Sequence, residues 1–268
     1  MRFKRILFIS IVLIALTVGA VSAHDNSTLM SDNSAELQTA KTFADVQSII
    51  NSANENDTIE LDGYYEGSGT PIKISKAITI NGNNAVLDAK SQSKIIEVRL
   101  EDSTNKVFLN GITFTNGHST RNAGAINGGT LTDCSFKNCI ADQRGGVATD
   151  SILNRCTITN CHAQRGGALY DSTANDCTFK NCYSEMNGGV LVNGKATGCE
   201  IINCYSGTYG GAIFDGSAYD STFRNCTTGE DGGAITSGFA VGCSFTDCKA
   251  GNKFKNDHNH DGGAISNG

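Results

Sequence analysis

The sequence contains no tryptophan and a single proline in 268 residues. Without indoles it lacks the broadest aromatic platform on which a sugar ring can stack. With one proline it cannot be collagen-like or a proline-rich linker, although glycine reaches 31 residues. Charged residues are also few, at 18%. Asn, Ser and Thr supply much of the polarity instead, which suits solvated strands better than charged surface helices. Glycine at this level without proline points to many tight turns between short strands.

The first 23 residues read as an export signal. Arg2, Lys4 and Arg5 precede an apolar run from Ile6 to Val18, and Val21-Ser22-Ala23 supplies the small residues of a cleavage site, expected after Ala23. No later stretch is apolar enough to cross a bilayer. The signal holds three of the 21 basic residues and no acid, so 18 basic residues face 27 acidic ones after its removal, a net charge of −9. That balance argues against nucleic acid or anionic lipid as a partner. Asn26, Asn56 and Asn225 each begin an Asn-x-Ser/Thr sequon; Asn26 and Asn56 are the expected modification sites, with Asn225 expected to face inward.

Residues 24–40 are polar and aperiodic and read as a lead-in. The domain proper is expected over 41–268. It opens on a helix over 42–53, with Thr42 and Asp45 as its N-terminal cap and Phe43, Val46, Ile49, Ile50 and Ala53 on one face. A lone amphipathic helix before a run of strands can cover the open apolar end of a solenoid. From Thr58 the hydrophobic period is two: Ile59 and Leu61, Ile72 and Ile74, Ile78 and Ile80, then Ile96, Val98 and Leu100.

The regular repeat occupies 107–268. Ala123-Gly124, Gly145-Gly146, Gly166-Gly167, Gly188-Gly189, Gly210-Gly211, Gly232-Gly233 and Gly262-Gly263 each precede Ala or Val. A second column reads Phe114, Phe136, Ile158, Phe179, Ile201, Phe223, Phe245. Asn116, Asn138, Asn160, Asn181, Asn203, Asn225 and Asp247 follow it two positions later. All 11 cysteines fall in two further columns: Cys134, Cys156, Cys177, Cys199, Ser221 and Cys243, then Cys139, Cys161, Cys182, Cys204, Cys226 and Cys248. A period near 22 residues fits one coil of an all-β, right-handed parallel β-helix, with three short strands and three turns expected per coil. Leucine-rich repeats share the period, but their leucine and asparagine signature is absent. On a β-helix the Phe, Ile and Cys columns become buried ladders and the Asn column a ladder of amides at a bend.

Gly210-Gly211-Ala212-Ile213 with Phe223-Arg224-Asn225, and their repeats, resemble the paired motifs of chlamydial polymorphic membrane proteins. The whole chain after residue 40 is closer to the adhesin-like proteins of methanogenic archaea. Asp57-Thr58-Ile59-Glu60-Leu61, Ile78-Thr79-Ile80-Asn81-Gly82 and Leu109-Asn110-Gly111-Ile112-Thr113-Phe114 resemble the opening coils of that family. The resemblance implies a secreted or cell-surface protein that binds glycans, cells or surface proteins without catalysis. Such proteins are usually longer and held to the envelope by a C-terminal module. Here a fresh Gly262-Gly263-Ala264-Ile265 is the last motif, so an open sheet edge is expected there.

Each chemistry-bearing group has a plainer reading. Stacked cysteines come within disulfide range at Cα, but their parallel Cβ vectors leave the Cβ atoms too far apart, so free thiols packing as small apolar groups are expected. Ser221 in their place supports packing, and the coil-fixed spacing does not favour zinc. Asp150, Asp171 and Asp215 align with Gly128, Asn193, Ser237 and Asn267, which reads as a turn column rather than a calcium row. Arg144 and Arg165 share a column with Asn187, Tyr209, Asp231 and Asp261, a variable loop rather than a catalytic base. His258 and His260 lie beside Asp257 and Asp261 in an inserted loop, expected to be solvated. No catalytic, cofactor-binding or metal-binding residue is assigned. The expectation is a non-enzymatic adhesin; a polysaccharide lyase or glycoside hydrolase on the same fold, and an inert coat component, are the alternatives.

Overall fold

The computed structural model describes residues 41–100, 106–251 and 263–266. Apart from one helix, the described residues form a parallel β-solenoid of about nine coils roughly 22 residues apart. Each strand pairs in parallel with its equivalents one coil before and after: Phe114 sits opposite Phe136, Phe136 opposite Ile158, and Ile158 opposite Phe179. The coils extend N-terminal to the regular repeat, with Ile59 opposite Ile80 and Ile80 opposite Leu109.

The helix spans Phe43–Ser52, with Thr42 and Ala53 as its flanking caps. The Asp45 carboxylate accepts hydrogen bonds from the Thr42 backbone N–H at 2.6 Å and from its hydroxyl at 2.9 Å. These bonds hold Asp45 below the usual carboxylate range, the backbone bond contributing most. Phe43, Val46, Ile50 and Ala53 are buried against the first coil, and Ile49 is partly covered. Lys76 donates to the carbonyls of Ala53 at 2.7 Å and Ile50 at 3.1 Å, placing a cation on the oxygens at the helix's C-terminal end. The helix therefore covers the end of the core, as its apolar face implies.

Within the regular repeat each coil has four corners, not three, and each corner is a residue with left-handed backbone. One coil turns at Asp133, Asn138, Gly145 and Asp150, and the next begins at Arg155. The sides are thus five, seven, five and five positions long, which closes the 22-residue period. The fourth corner column, Asp133, Arg155, Asp176, Gly198, Asp220 and Gly242, mixes residue types too freely to stand out in the sequence. Aspartate and asparagine dominate the non-glycine corners because their short polar side chains tolerate this conformation best.

The glycine pair has a separate reason at each member. The first lies at a corner, with φ of 61° at Gly145, 63° at Gly166 and 61° at Gly188. A Cβ on the second would lie 2.2 Å from a carbonyl oxygen one coil away: Gly167 O for Gly146, Gly189 O for Gly167, and Gly211 O for Gly189. Only glycine lets the coils approach this closely.

The interior follows the columns. Phe114, Phe136, Ile158, Phe179, Ile201 and Phe223 are fully buried. Phe114 and Phe136 stack with centroids 4.8 Å apart, and so do Phe223 and Phe245 at 4.9 Å. Nine of the 11 thiols are buried, and all 11 cysteines are free in the structure. They do more than fill space. Each follows a corner and points its sulfur at the carbonyl two residues back, as Cys199 does toward Thr197 at 3.4 Å. Cys177 also accepts the backbone N–H of Cys156 from the preceding coil at 3.3 Å. Ser221 reproduces both contacts, donating to Tyr219 O at 2.8 Å and accepting from Cys199 N at 3.0 Å. Ser151 and Ser172 do the same at another corner. A small side chain with one polar atom is what these positions require.

Candidate binding surface

The asparagine ladder runs along the outside of the solenoid. Asn225 donates to Asn203 at 2.9 Å, Asn203 to Asn181 at 3.3 Å, and Asn181 to Asn160 at 3.2 Å. Its side chains are largely exposed, so the inward orientation expected for Asn225 is incorrect. The left-handed corner turns the amide outward while the preceding Phe or Ile takes the inside. The Asn225 amide nitrogen is nevertheless engaged by its neighbour. Asn56 is exposed, in a turn before the second strand of the domain; Asn26 lies outside the described residues.

The Asp150, Asp171 and Asp215 column is a row of left-handed corners, shared with Gly128, Asn193 and Ser237. Asn193 donates to the Asp171 carboxylate, an amide–acid link in the same style as the asparagine ladder. Among the described residues no group of three His, Cys, Asp or Glu side chains could hold a metal ion. His258, His260, Asp257 and Asp261 lie outside the described residues.

An outward column that the repeat does not announce lies on the seven-residue side. That side forms its own six-stranded parallel sheet: His118–Ser119, Ile140–Arg144, His162–Arg165, Tyr183–Ser184, Tyr205–Ser206 and Thr227–Thr228. Its outward residues are His118, Ile140, His162, Tyr183, Tyr205 and Thr227, aligned coil on coil. His162 stacks on Tyr183 at 4.8 Å, and Tyr183 on Tyr205 at 5.5 Å with rings 5° from parallel. Tyr183 and Ile140 are among the exposed large hydrophobic side chains of the described residues. Acids flank the column: Asp142 lies 3.0 Å from His118 Nε2, and Glu185 lies 3.7 Å from His162 Nε2. Burial pushes the His162 pKa down, outweighing the opposite pull of Glu185 and Asp142. The signal was present in the sequence as the residue after each cysteine of the second ladder, but its identity changes from coil to coil.

Arg144 and Arg165 lie at the end of this sheet, paired in register immediately before their corner glycines. The Arg144 guanidinium sits 4.7 Å over the ring of Tyr170, which comes from the far side of the corner. Further along the same edge, Asn187, Tyr209, Phe214, Asp231 and Thr236 line a shallow open groove, with Tyr209 and Phe214 stacked at 6.1 Å. Side chains from both sides meet here because the glycine corner between them has none.

The molecule is thus a parallel β-solenoid whose inner columns fill the core and whose outer columns form ordered ladders. No known family matches the chain, and no curated protein does. Among solved structures it is similar to ORF18 of Geobacillus virus E2, at 12% identity and a TM-score of 0.32. The match covers 77% of this chain and 57% of that one, so the chain spans little more than half of that protein's length.

Proposed function

We propose that this is an exported, adhesin-like β-solenoid, in the manner of the methanogen proteins its repeats resemble, and that it binds surface glycans or proteins without chemistry. The observation that carries the reading is the outward column from His118 to Tyr205. Strand geometry asks only for a β-compatible polar residue there, as Thr227 provides. Five consecutive coils instead place an imidazole, an aliphatic group or a phenol in contact with water. Exposed aromatic groups on a rigid flat sheet are the composition of an interaction surface.

The stacking also defines how such a surface works. Faces of the Tyr183 ring are covered by His162 and Tyr205, so the column offers ring edges and polar tips rather than open faces. A single sugar lying flat on one ring is therefore not the expected mode. An extended glycan or a protein strand laid across several coils is.

The test is binding of the purified chain to immobilised cells, envelope proteins and a neutral and acidic glycan panel. Retention that drops in Tyr183→Ser/Tyr205→Ser, with the fold intact by circular dichroism, supports the reading. Release of new reducing or unsaturated ends from any polysaccharide in the panel overturns it in favour of an enzyme. Absence of retention on every surface also refutes it and leaves a passive coat component.

A further inference from the structure

Arg144 and Arg165 hold an unused pair of positive charges on an otherwise acidic protein. Their Cα positions are in register on adjacent coils, about 4.8 Å apart. Like charges at that spacing repel, and side-chain columns in a solenoid normally escape this by pairing. Arg155 shows the ordinary arrangement, bidentate to Asp133 at 2.8 and 2.9 Å. Among the described residues neither Arg144 nor Arg165 lies within ion-pair distance of a carboxylate. Two acids beside the same sheet face histidines instead, Asp142 toward His118 and Glu185 toward His162.

Two further observations make the pair a site. Arg165 Nε is shielded from solvent and has no hydrogen-bond acceptor. An orphan guanidinium N–H costs stability unless something else satisfies it. The Arg144 guanidinium rests 4.7 Å over the Tyr170 ring, a contact that favours one placement of it before any ligand arrives. Two arginines in register at one edge, one resting on an aromatic ring and one with an unsatisfied N–H, supply the donors that a planar or tetrahedral oxyanion accepts.

We infer that Arg144 and Arg165, with Tyr170, bind an anionic group, a carboxylate or sulfate, carried by an acidic polysaccharide. The polysaccharide rather than a free ion is indicated by the edge itself. The arginine column continues through Asn187 to the groove lined by Tyr209, Phe214 and Asp231, so the anionic group belongs at the arginine end and the uncharged part of a chain against Tyr209 and Phe214. The inference rests on the binding reading above and names its ligand class. The overall negative charge does not oppose it at close range, since charges further away than about 8 Å are largely screened at physiological salt.

The experiment titrates the full chain with hyaluronate, with dextran sulfate and with neutral dextran, at low and at physiological salt. Binding to at least one polyanion above neutral dextran is expected, weakening as salt rises. Each of Arg144→Gln and Arg165→Gln should weaken it by about tenfold, the scale of one charge-assisted hydrogen-bond set. Both variants should fold, because the same column accepts Asn187, Tyr209 and Asp231. Arg155→Gln, which breaks a surface pair at another corner, should leave binding unchanged. Asn187→Arg, extending the pair by one coil, should tighten it, a gain that misfolding cannot imitate. A preference between the two polyanions identifies carboxylate or sulfate as the recognised group.

Equal binding by wild type and by the combined Arg144→Gln/Arg165→Gln variant overturns the assignment, as does a wild type that ignores both polyanions. If that wild type still holds cells or neutral glycans through Tyr183 and Tyr205, only this inference falls. If it holds nothing, the binding reading falls with it.

Discussion

Gly189→Ala should cost far more than the same substitution at Gly69, and the difference tests why the glycine pair exists. At Gly69 φ is 88° and an added Cβ meets nothing within 4 Å. The cost there is backbone strain less the reduced freedom of the unfolded chain, about 1 kcal/mol. At Gly189 the Cβ would lie 2.2 Å from Gly211 O and 2.5 Å from Tyr205 O, both backbone atoms one coil on. Ordinary contact requires the coils to part by about 1 Å locally, since contacts below about 3.5 Å are repulsive between carbons. Three hydrogen bonds cross that gap beside the glycine: Gly189 N to Gly210 O, Val190 N to Ala212 O, and Leu191 N to Ala212 O. Overpacking costs about 1–3 kcal/mol and each weakened bond up to about 1 kcal/mol, so a loss of about 4 kcal/mol is expected. Urea unfolding gives the comparison, with unfolding rates as a second readout where refolding is incomplete. Amide exchange at Val190 and Leu191 should accelerate most, because coil contacts are nearest-neighbour. If the two variants lose stability within about 0.5 kcal/mol of each other, close coil approach is not what the motif secures.

Three more expectations follow from the interior and the outer face. Phe136→Ala, which opens a cavity beside the stacked Phe114 ring, should lose about 3–5 kcal/mol in urea unfolding, while Phe136→Ile should lose much less because Ile158 fills the next rung. Iodoacetamide should label Cys243 and Cys248 first and the nine buried thiols only on unfolding; the neighbouring Cys226 thiol lowers the Cys248 pKa from the usual thiol range, so of these two Cys248 should gain reactivity at the lower pH. Uniform labelling would refute the packing. His162 has its pKa lowered by burial from 6.5, so folding favours its neutral form. Its contribution to stability is present above pH 6.5 and is lost as pH falls through the lower folded value. His162→Gln should remove that acid-side loss from the melting-temperature profile, and an unchanged profile would contradict it.

The fold was legible because a solenoid writes its inside in the sequence. A residue such as Phe179 must satisfy Ile158 below and Ile201 above, so inward positions repeat and the period is visible. The helix was equally plain, since its apolar face had one exposed end to cover. The fourth corner was not. Asp133, Arg155 and Gly198 share a backbone conformation but no side-chain character, and a conformation shared by dissimilar residues leaves no pattern. The outward turn of the asparagines was missed for a related reason. A ladder of amides looks the same in sequence whether it lies inside or outside, and only the left-handed corner decides.

The candidate site was the least legible part, and the cause is the same constraint seen from outside. An outward residue answers to water rather than to the coils above and below, so repetition does not mark it. His118, Ile140, His162, Tyr183 and Tyr205 share only their place after a corner and a willingness to lie exposed. Arg144 and Arg165 read as two members of a variable column because 21 residues separate them in the chain. Folding brings them into register and leaves Arg165 Nε without an acceptor. In this architecture, what a column keeps constant serves the fold, and what it varies is where binding can arise. A variable column whose neighbours fail to neutralise it, as this one does for two coils, is therefore the place at which a ligand has the most to contribute.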